Sequence, residues 1–421
     1  MSQIDSSKRR DPFLDGAAHF PGLSEQPDCS DRSAAIIGGA MSGLAAAHAL
    51  HTLGYDVDLY ERQLYADKRV NCGEAMTAGS MIPLEKSTEN GFLNGETTFN
   101  IQIYTSTRAE RHLAGEGSFP TAEGYVTDRN VVERQWAEQL SREGVAITTG
   151  QSVTKSEYLS LAAEHDLLVD ATGQPSITSK VTGRTHEYAG HMTALNADVK
   201  GDFSQLYPDS YIVFENYLGY VWAFPKTPQR ANVGIGWGQR DLPDDYMSAF
   251  HAACERNGFP TPTREQTNIA IIPQGPSLNP SRLFLPEYNT VRVGDAAGIA
   301  NRFSGKGISQ AVHSSYLMVK LAAEDRLNEY PTQLHRLMRG EYLLAHVVRE
   351  LLESGDVSLL GSVLDAVSGI DVEAADRGPR IVLDRLIEHP LLCARLICRP
   401  ATLRRIYDTY TDHWEYTTIE S

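Results

Sequence analysis

The chain has no long apolar run. Its longest apolar stretch, Ala34 to Leu50, is interrupted by Gly38, Gly39, Gly43 and His48, whereas crossing a bilayer takes roughly 20 predominantly apolar residues in succession. Cysteine is rare: five in 421 residues (Cys29, Cys72, Cys254, Cys393 and Cys398), scattered and without a C-x-x-C pair. Neither a disulfide framework nor a zinc site is indicated, no metal is expected, and a reducing cytoplasm is the expected compartment. Basic runs are lacking as well. With 38 Lys and Arg against 54 Asp and Glu the formal net charge is -16, which argues against a nucleic-acid partner, because binding phosphates requires clustered cations. Lysine is scarce beside arginine, a balance shared by proteins of a high-salt cytoplasm and by those of GC-rich genomes. Residues 1–32 are polar and rich in Ser, Asp and Pro, lack the apolar core of a signal peptide, and read as a mobile extension.

What is present begins at Ala34. A buried-strand run, Ala34 to Ile37, breaks at Gly38-Gly39-Ala40-Met41-Ser42-Gly43 and resumes as the helix former Leu44 to Leu50. A second strand, Val57 to Tyr60, ends in Glu61-Arg62, with Glu61 placed 23 residues after Gly38. At that spacing a carboxylate reaches the ribose hydroxyls of a dinucleotide. Gly38 permits the tight turn, Gly43 lets helix and strand approach, and the N–H groups of the helix start, Met41 to Gly43, are offered to a pyrophosphate. Ala40 replaces the middle glycine of G-x-G-x-x-G.

Downstream, the strand Asp166 to Asp170 runs into Ala171-Thr172-Gly173, and Arg129 opens a helix through Leu140. Such pieces close the chain beneath a flavin dinucleotide and help to hold it. The segment Val291-Arg292-Val293-Gly294-Asp295-Ala296-Ala297-Gly298, followed by Ser304-Gly305-Lys306-Gly307-Ile308 and a helix, is the most specific. Asp295 suits a ribityl hydroxyl, and the helix start at Gly307-Ile308 suits the pyrimidine edge of a flavin ring. The expected cofactor is FAD. The expected fold class is α/β: a discontinuous Rossmann-type FAD-binding unit (33–186 and 275–330), an inserted antiparallel substrate sheet (187–274) and a C-terminal helical region (331–421).

In the insert, Gly219-Tyr220-Val221-Trp222-Ala223-Phe224-Pro225-Lys226 places Tyr220, Trp222 and Phe224 on one face of a strand and Val221 and Ala223 on the other. Asn232, Gly234 and Gly236 of the next strand share a side and leave it almost bare. Whether that bare side faces the aromatics depends on the register. Between Arg380 and Arg405 six arginines are interleaved with leucines and isoleucines, the pattern first of helices packed on the body with solvated arginines, and second of peripheral contact to an anionic membrane.

Tyr220-x-Trp222-x-Phe224-Pro225 with Ala231-Asn232-Val233-Gly234-Ile235-Gly236 behind it resembles the geranylgeranyl reductase family of flavoproteins. Cys72-Gly73-Glu74 is similar to the cysteine-glycine segment of that family, and Gly294 to Gly298 with Gly307-Ile308 to its second flavin motif. The likeness covers Ala34 to Ala322; Arg302 and Lys306, where many members carry proline and glutamate, depart from it. The resemblance implies saturation of isolated C=C bonds in the polyprenyl chain of a lipid or quinone, by hydride from flavin N5 and a proton from an active-site acid. Cys72, Glu74 and Tyr220 are the candidate donors, and Tyr220, Trp222, Phe224 and Gly234 the expected substrate wall, its aromatic faces shielding positive charge.

Two other readings share these features. A flavin monooxygenase or halogenase uses the same fold, although many aromatic hydroxylases place histidine where Gly298 follows G-D-A-A. A non-catalytic prenyl-binding protein, like the escorts of prenylated small GTPases, could keep the architecture without the chemistry. No second nucleotide-binding unit follows Gly173, so NAD(P)H, ferredoxin or a deazaflavin, with or without a redox partner protein, remains open as reductant.

Overall fold

The protein, in a computed structural model, is described over residues 28–410 apart from 78–80, 96–97, 107–109, 122–123, 186–190, 216, 274–279 and 302. Most of the N-terminal extension, both expected ends of the insert and Arg302 lie outside the described residues.

The strand Ser33–Ile37 pairs in parallel with Asp56–Glu61 on one side and Leu167–Asp170 on the other. Ala146–Thr149 continues one edge, while Thr290–Arg292 and the antiparallel Phe284–Leu285 complete a sheet of six. Helices cover both of its faces, which is why Ala34–Ile37 is continuously apolar rather than alternating. Met41–Thr52 and Ile308–Ala323 pack on one face, and Lys155–Glu164 and Ile177–Thr182 on the other. The chain thus leaves this sheet after residue 170 and returns at 284.

Between those points lies most of a seven-stranded sheet, in the order Asn268–Pro273, His191–Lys200, Arg230–Gly238, Gly219–Thr227, Ser210–Phe214, Thr98–Ser106, Arg111–Pro120. The last two strands correct the expected composition of this layer. They come from well before residue 187, because Ser210–Phe214 pairs in parallel with Thr98–Ser106, aligning Ile212 with Ile101. One face of the sheet packs Val221, Ala223, Val233 and Ile235 against Phe250, Ala253 and Cys254 of the helix Tyr246–Asn257. Tyr220, Trp222 and Phe224 cluster on the other.

The C-terminal region is helical, led by Tyr330–Glu353 and continued by five shorter helices through Tyr410. Helix Val357–Val367 crosses strand Arg111–Pro120 backbone against backbone: a Cβ on Gly115 would lie 2.5 Å from Gly361 Cα, and one on Gly361 2.2 Å from the Ala114 carbonyl oxygen. Among the described residues no helix is long and apolar enough to cross a membrane.

Candidate active site

The candidate cofactor cradle lies where the first and last pieces of the parallel sheet meet. Gly38 has φ +106, and a Cβ there would lie 2.3 Å from the Ala171 carbonyl oxygen, so the Ala171-Thr172-Gly173 turn runs directly beneath it. At Gly43 a Cβ would come within 1.8 Å of the Gly38 oxygen. Both glycines are therefore required by close backbone approach. Helix Met41–Thr52 starts at Ala40 and helix Ile308–Ala323 at Gly307; neither has a side-chain cap or an acidic residue in its first turn. The helices touch, Ser315 Oγ donating to the Ser42 carbonyl at 2.8 Å, so two sets of uncapped N–H groups and two positive dipole ends sit in one region. Gly305 has φ +68 in the loop leading to the second helix, and Gly173 φ +73 in open space. Arg62 is exposed at the rim.

Asp295 stands beside these helix starts. It is exposed by surface area, yet desolvation pushes its carboxyl above the usual range, with Arg129 opposing. The two facts agree if its surface opens into a recess walled by protein rather than to bulk water. A recess lined by a carboxylate, an arginine and two uncapped helix starts fits an anionic dinucleotide that carries hydroxyls.

Glu61 is less free than its spacing suggests. Its Oε2 accepts from Gly39 N–H and from Lys68 Nζ, both at 2.9 Å, and its Oε1 from Gln63 N–H at 2.9 Å. Three of about four acceptor sites are filled, leaving room for one ribose hydroxyl rather than two. Lys68 also donates to the Gly39 carbonyl at 2.7 Å and pairs with buried Glu133 at 3.1 Å.

Cys72 lies where three elements converge. Its Sγ accepts from the Glu74 backbone N–H at 3.2 Å, and its carbonyl from Asn232 Nδ2 at 3.0 Å. The Arg129 guanidinium interacts electrostatically with the same thiol; burial works against its charge, but Glu133, at 2.8 Å, and Cys72 hold it protonated.

Glu74 is a correction to the list of proton donors. Its Oε2 accepts from Lys226 Nζ at 2.6 Å and Asn232 Nδ2 at 3.1 Å, and its Oε1 from Arg129 N–H at 3.1 Å. With donors at all three contacts, the carboxylate serves as an acceptor inside a buried ionic cluster rather than as a donor to a substrate. Lys226, Asp128, Asp198 and Arg230 complete that cluster. A lysine within an otherwise apolar strand was the available signal, because a buried ammonium demands counter-charges.

The aromatic wall forms, and its register is resolved. Trp222 pairs with Gly234 and Tyr220 with Gly236, so the aromatics do face the bare side. What lies flat there is Trp222 itself, whose Cζ2 is 2.1 Å from where a Gly234 Cβ would stand. Trp222 stacks on Phe224 (centroids 6.1 Å, 24°) and meets Tyr220 at 5.7 Å. The indole N–H donates to Asn232 Oδ1 at 3.0 Å, which leaves only the ring face of Trp222 for a ligand. Tyr220 donates to the Ser304 carbonyl, and desolvation raises its phenol and keeps it protonated. Beyond Tyr220, Phe214 and Phe303 stack at 5.3 Å and carry the apolar surface toward the C-terminal helices.

No family model matches the chain. The digeranylgeranylglycerophospholipid reductase of Methanosarcina mazei is 28% identical over 320 residues, 69% of this chain and 74% of its own. That of Thermoplasma acidophilum is 21% identical over 390 residues, 82% of this chain and 96% of its own. The chain is a geranylgeranyl reductase-like flavoprotein oxidoreductase. Solved structures agree in fold: a geranylgeranyl bacteriochlorophyll reductase-like protein from Thermoplasma acidophilum superposes with TM-score 0.61 at 16% identity, covering 87% of this chain and 98% of that one. A flavin-dependent brominase does so with TM-score 0.56 at 15% identity, over 86% and 99%. At such identities the likeness establishes architecture, and the similarity of this oxidoreductase to the reductases rests on the sequence relatives.

Proposed function

We propose that this oxidoreductase saturates isolated C=C bonds in a polyprenyl chain carried by a lipid or quinone, with FAD as its cofactor and Cys72 as the acid. The observation that carries the reading is the Cys72 thiol itself, contacted by the Glu74 N–H and within electrostatic reach of the Arg129 guanidinium, in the space between the aromatic strand and the Asp295 recess. The N–H donor fixes the sulfur in place, as delivery of its proton to a substrate requires. FAD, when bound, supplies the hydride that the alkene also needs. Met41 to Gly43, Arg129, Asp295 and Gly305 to Ile308 would hold it, with Glu61 taking one ribose hydroxyl. Tyr220, Trp222 and Phe224 exclude water and present π faces to the positive charge that develops as the alkene is protonated. Tyr220, fixed to Ser304, is assigned to the wall rather than to proton delivery.

The test is Cys72→Ala in the FAD-loaded enzyme, reduced anaerobically with NAD(P)H, a ferredoxin or a deazaflavin in turn. Flavin reduction should be unchanged, while two-dalton gains in added prenyl lipids slow by about 10²-fold, the scale of a lost general acid. Full activity would give the proton to another group. The brominase likeness keeps a halogenase as the second reading, and chlorination or bromination of phenols without alkene reduction would favour it.

A further inference from the structure

The charge cluster beside Cys72 supports a second role, which rests on the reading of Cys72 as the acid. Lys226, 1% exposed, ends the aromatic strand and donates to Glu74 at 2.6 Å, Asp128 at 2.7 Å and Asp198 at 2.6 Å. Arg230 bridges Asp128 and Asp198 from the next strand, at 2.7 Å to each. Two cations thus meet three carboxylates contributed by the cysteine turn, the start of helix Arg129–Glu143 and the strand His191–Lys200.

Glu74 is clamped from every side. Its side chain has the three donors described above, and its carbonyl accepts from Thr127 N–H at 3.0 Å and Thr127 Oγ1 at 3.1 Å. The residue so held has φ +65, a conformation disfavoured for any residue with a Cβ. In that conformation its N–H points at Cys72 Sγ. Nothing in the cluster touches the sulfur except through Glu74.

We propose that Lys226, acting through Glu74, is a positioning residue that sets the Cys72 thiol and its N–H donor in the site. Without the ammonium, Glu74 loses its shortest hydrogen bond, and three carboxylates face Arg230 alone. The charged and titratable groups around Cys72 are Arg129 from the helix, Tyr220 from the aromatic strand and Glu74 from its own turn, with Asp128, Asp198, Lys226 and Arg230 behind Glu74. Losing the N–H donor and gaining net negative charge both disfavour the thiolate.

The experiment follows Cys72 alkylation by iodoacetamide, read by peptide mass spectrometry from pH 6 to 10, in FAD-loaded protein carrying Cys393→Ser and Cys398→Ser; Cys29 and Cys254 are buried. Lys226→Met should move the profile to higher pH, slowing labelling at pH 7.5 by about tenfold, as one pH unit of displacement requires. Lys226→Arg should restore the profile, and prenyl reduction by Lys226→Met should lose kcat with KM unchanged. A wild-type profile in folded Lys226→Met overturns the proposal, as does labelling faster by the same factor at every pH, which would mean that Lys226 only keeps the turn closed. Should that variant not fold, Lys226→Met with Asp198→Asn removes the surplus carboxylate, and an unshifted profile there is equally fatal. Full prenyl reduction by Cys72→Ala would defeat the acid assignment while leaving the labelling result to stand or fall on its own.

Discussion

Trp222 occupies the space that a side chain at Gly234 would need. A Cβ there would lie 2.1 Å from the indole Cζ2 and 2.6 Å from the Leu195 carbonyl oxygen, so neither ring nor backbone can yield without moving the wall. Gly234→Ala should therefore cost about 1 to 3 kcal/mol, the range for overpacking a closed core, and tilt the indole away from Asn232. Thermal melts and Trp fluorescence check this. An unchanged melting temperature and emission maximum would show that the strand absorbs the methyl.

Asp295 is the most direct probe of the cradle. Its replacement by Ala should weaken FAD retention by about 1 to 3 kcal/mol, since a ribityl hydroxyl enclosed in the recess loses its acceptor. Flavin occupancy of purified protein, read from absorbance and identified as FAD on denaturation, measures it directly. Undiminished occupancy would remove Asp295 from the site.

Asp128 ties the helix Arg129–Glu143 to the seven-stranded sheet. Burial works to raise its carboxyl, but Arg230 and Lys226 outweigh that and hold it below the ordinary value. A depressed carboxylate contributes stability that is present above the unfolded value of ~3.9 and lost as pH falls through the lower folded value. Asp128→Asn should thus lower the urea midpoint at pH 7, and the gap from wild type should close below about pH 4. A gap independent of pH would mean that the loss is one of packing rather than charge.

The arginines near the C-terminus divide into two groups. Arg399 is bound to Glu350 at 3.0 Å and Asp356 at 2.8 Å and pins the helices together, and half-buried Arg405 reaches Glu353 at 3.9 Å. Arg380, Arg385, Arg395 and Arg404 are exposed, near exposed Leu383, Ile387, Leu391, Ile397 and Leu403. If this face meets a bilayer, liposome sedimentation should rise with anionic lipid, fall with salt, and drop when those four become glutamine, each being worth about 1 kcal/mol at the surface. Arg399→Gln should instead lower the melting temperature. Equal sedimentation of wild type and quadruple variant would assign the four to solvation alone.

The features legible in the chain are those in which meaning is local. Gly38 to Gly43 between a strand and a helix, the Asp295 segment before a second helix, and the alternation of Tyr220, Trp222 and Phe224 are each written within about a dozen residues, and short-range sterics and strand periodicity read them without reference to the rest of the molecule. The two separated pieces of the parallel sheet followed from the order of those motifs. Three things were decided only by tertiary structure. The strands Thr98–Ser106 and Arg111–Pro120 join the seven-stranded sheet through a parallel pairing with a strand about a hundred residues later, and nothing in an alternating segment names so distant a partner. The spacing of Glu61 from Gly38 holds, but Lys68 and Gln63 claim much of its carboxylate. Glu74, an acid beside a cysteine, reads as a proton donor until Lys226, 152 residues away, is brought against it. Charge partners across such separations are selected by how the sheet and the nucleotide-binding unit stack, and one sequence does not encode that stacking in any local pattern; it emerges from burying both apolar faces at once.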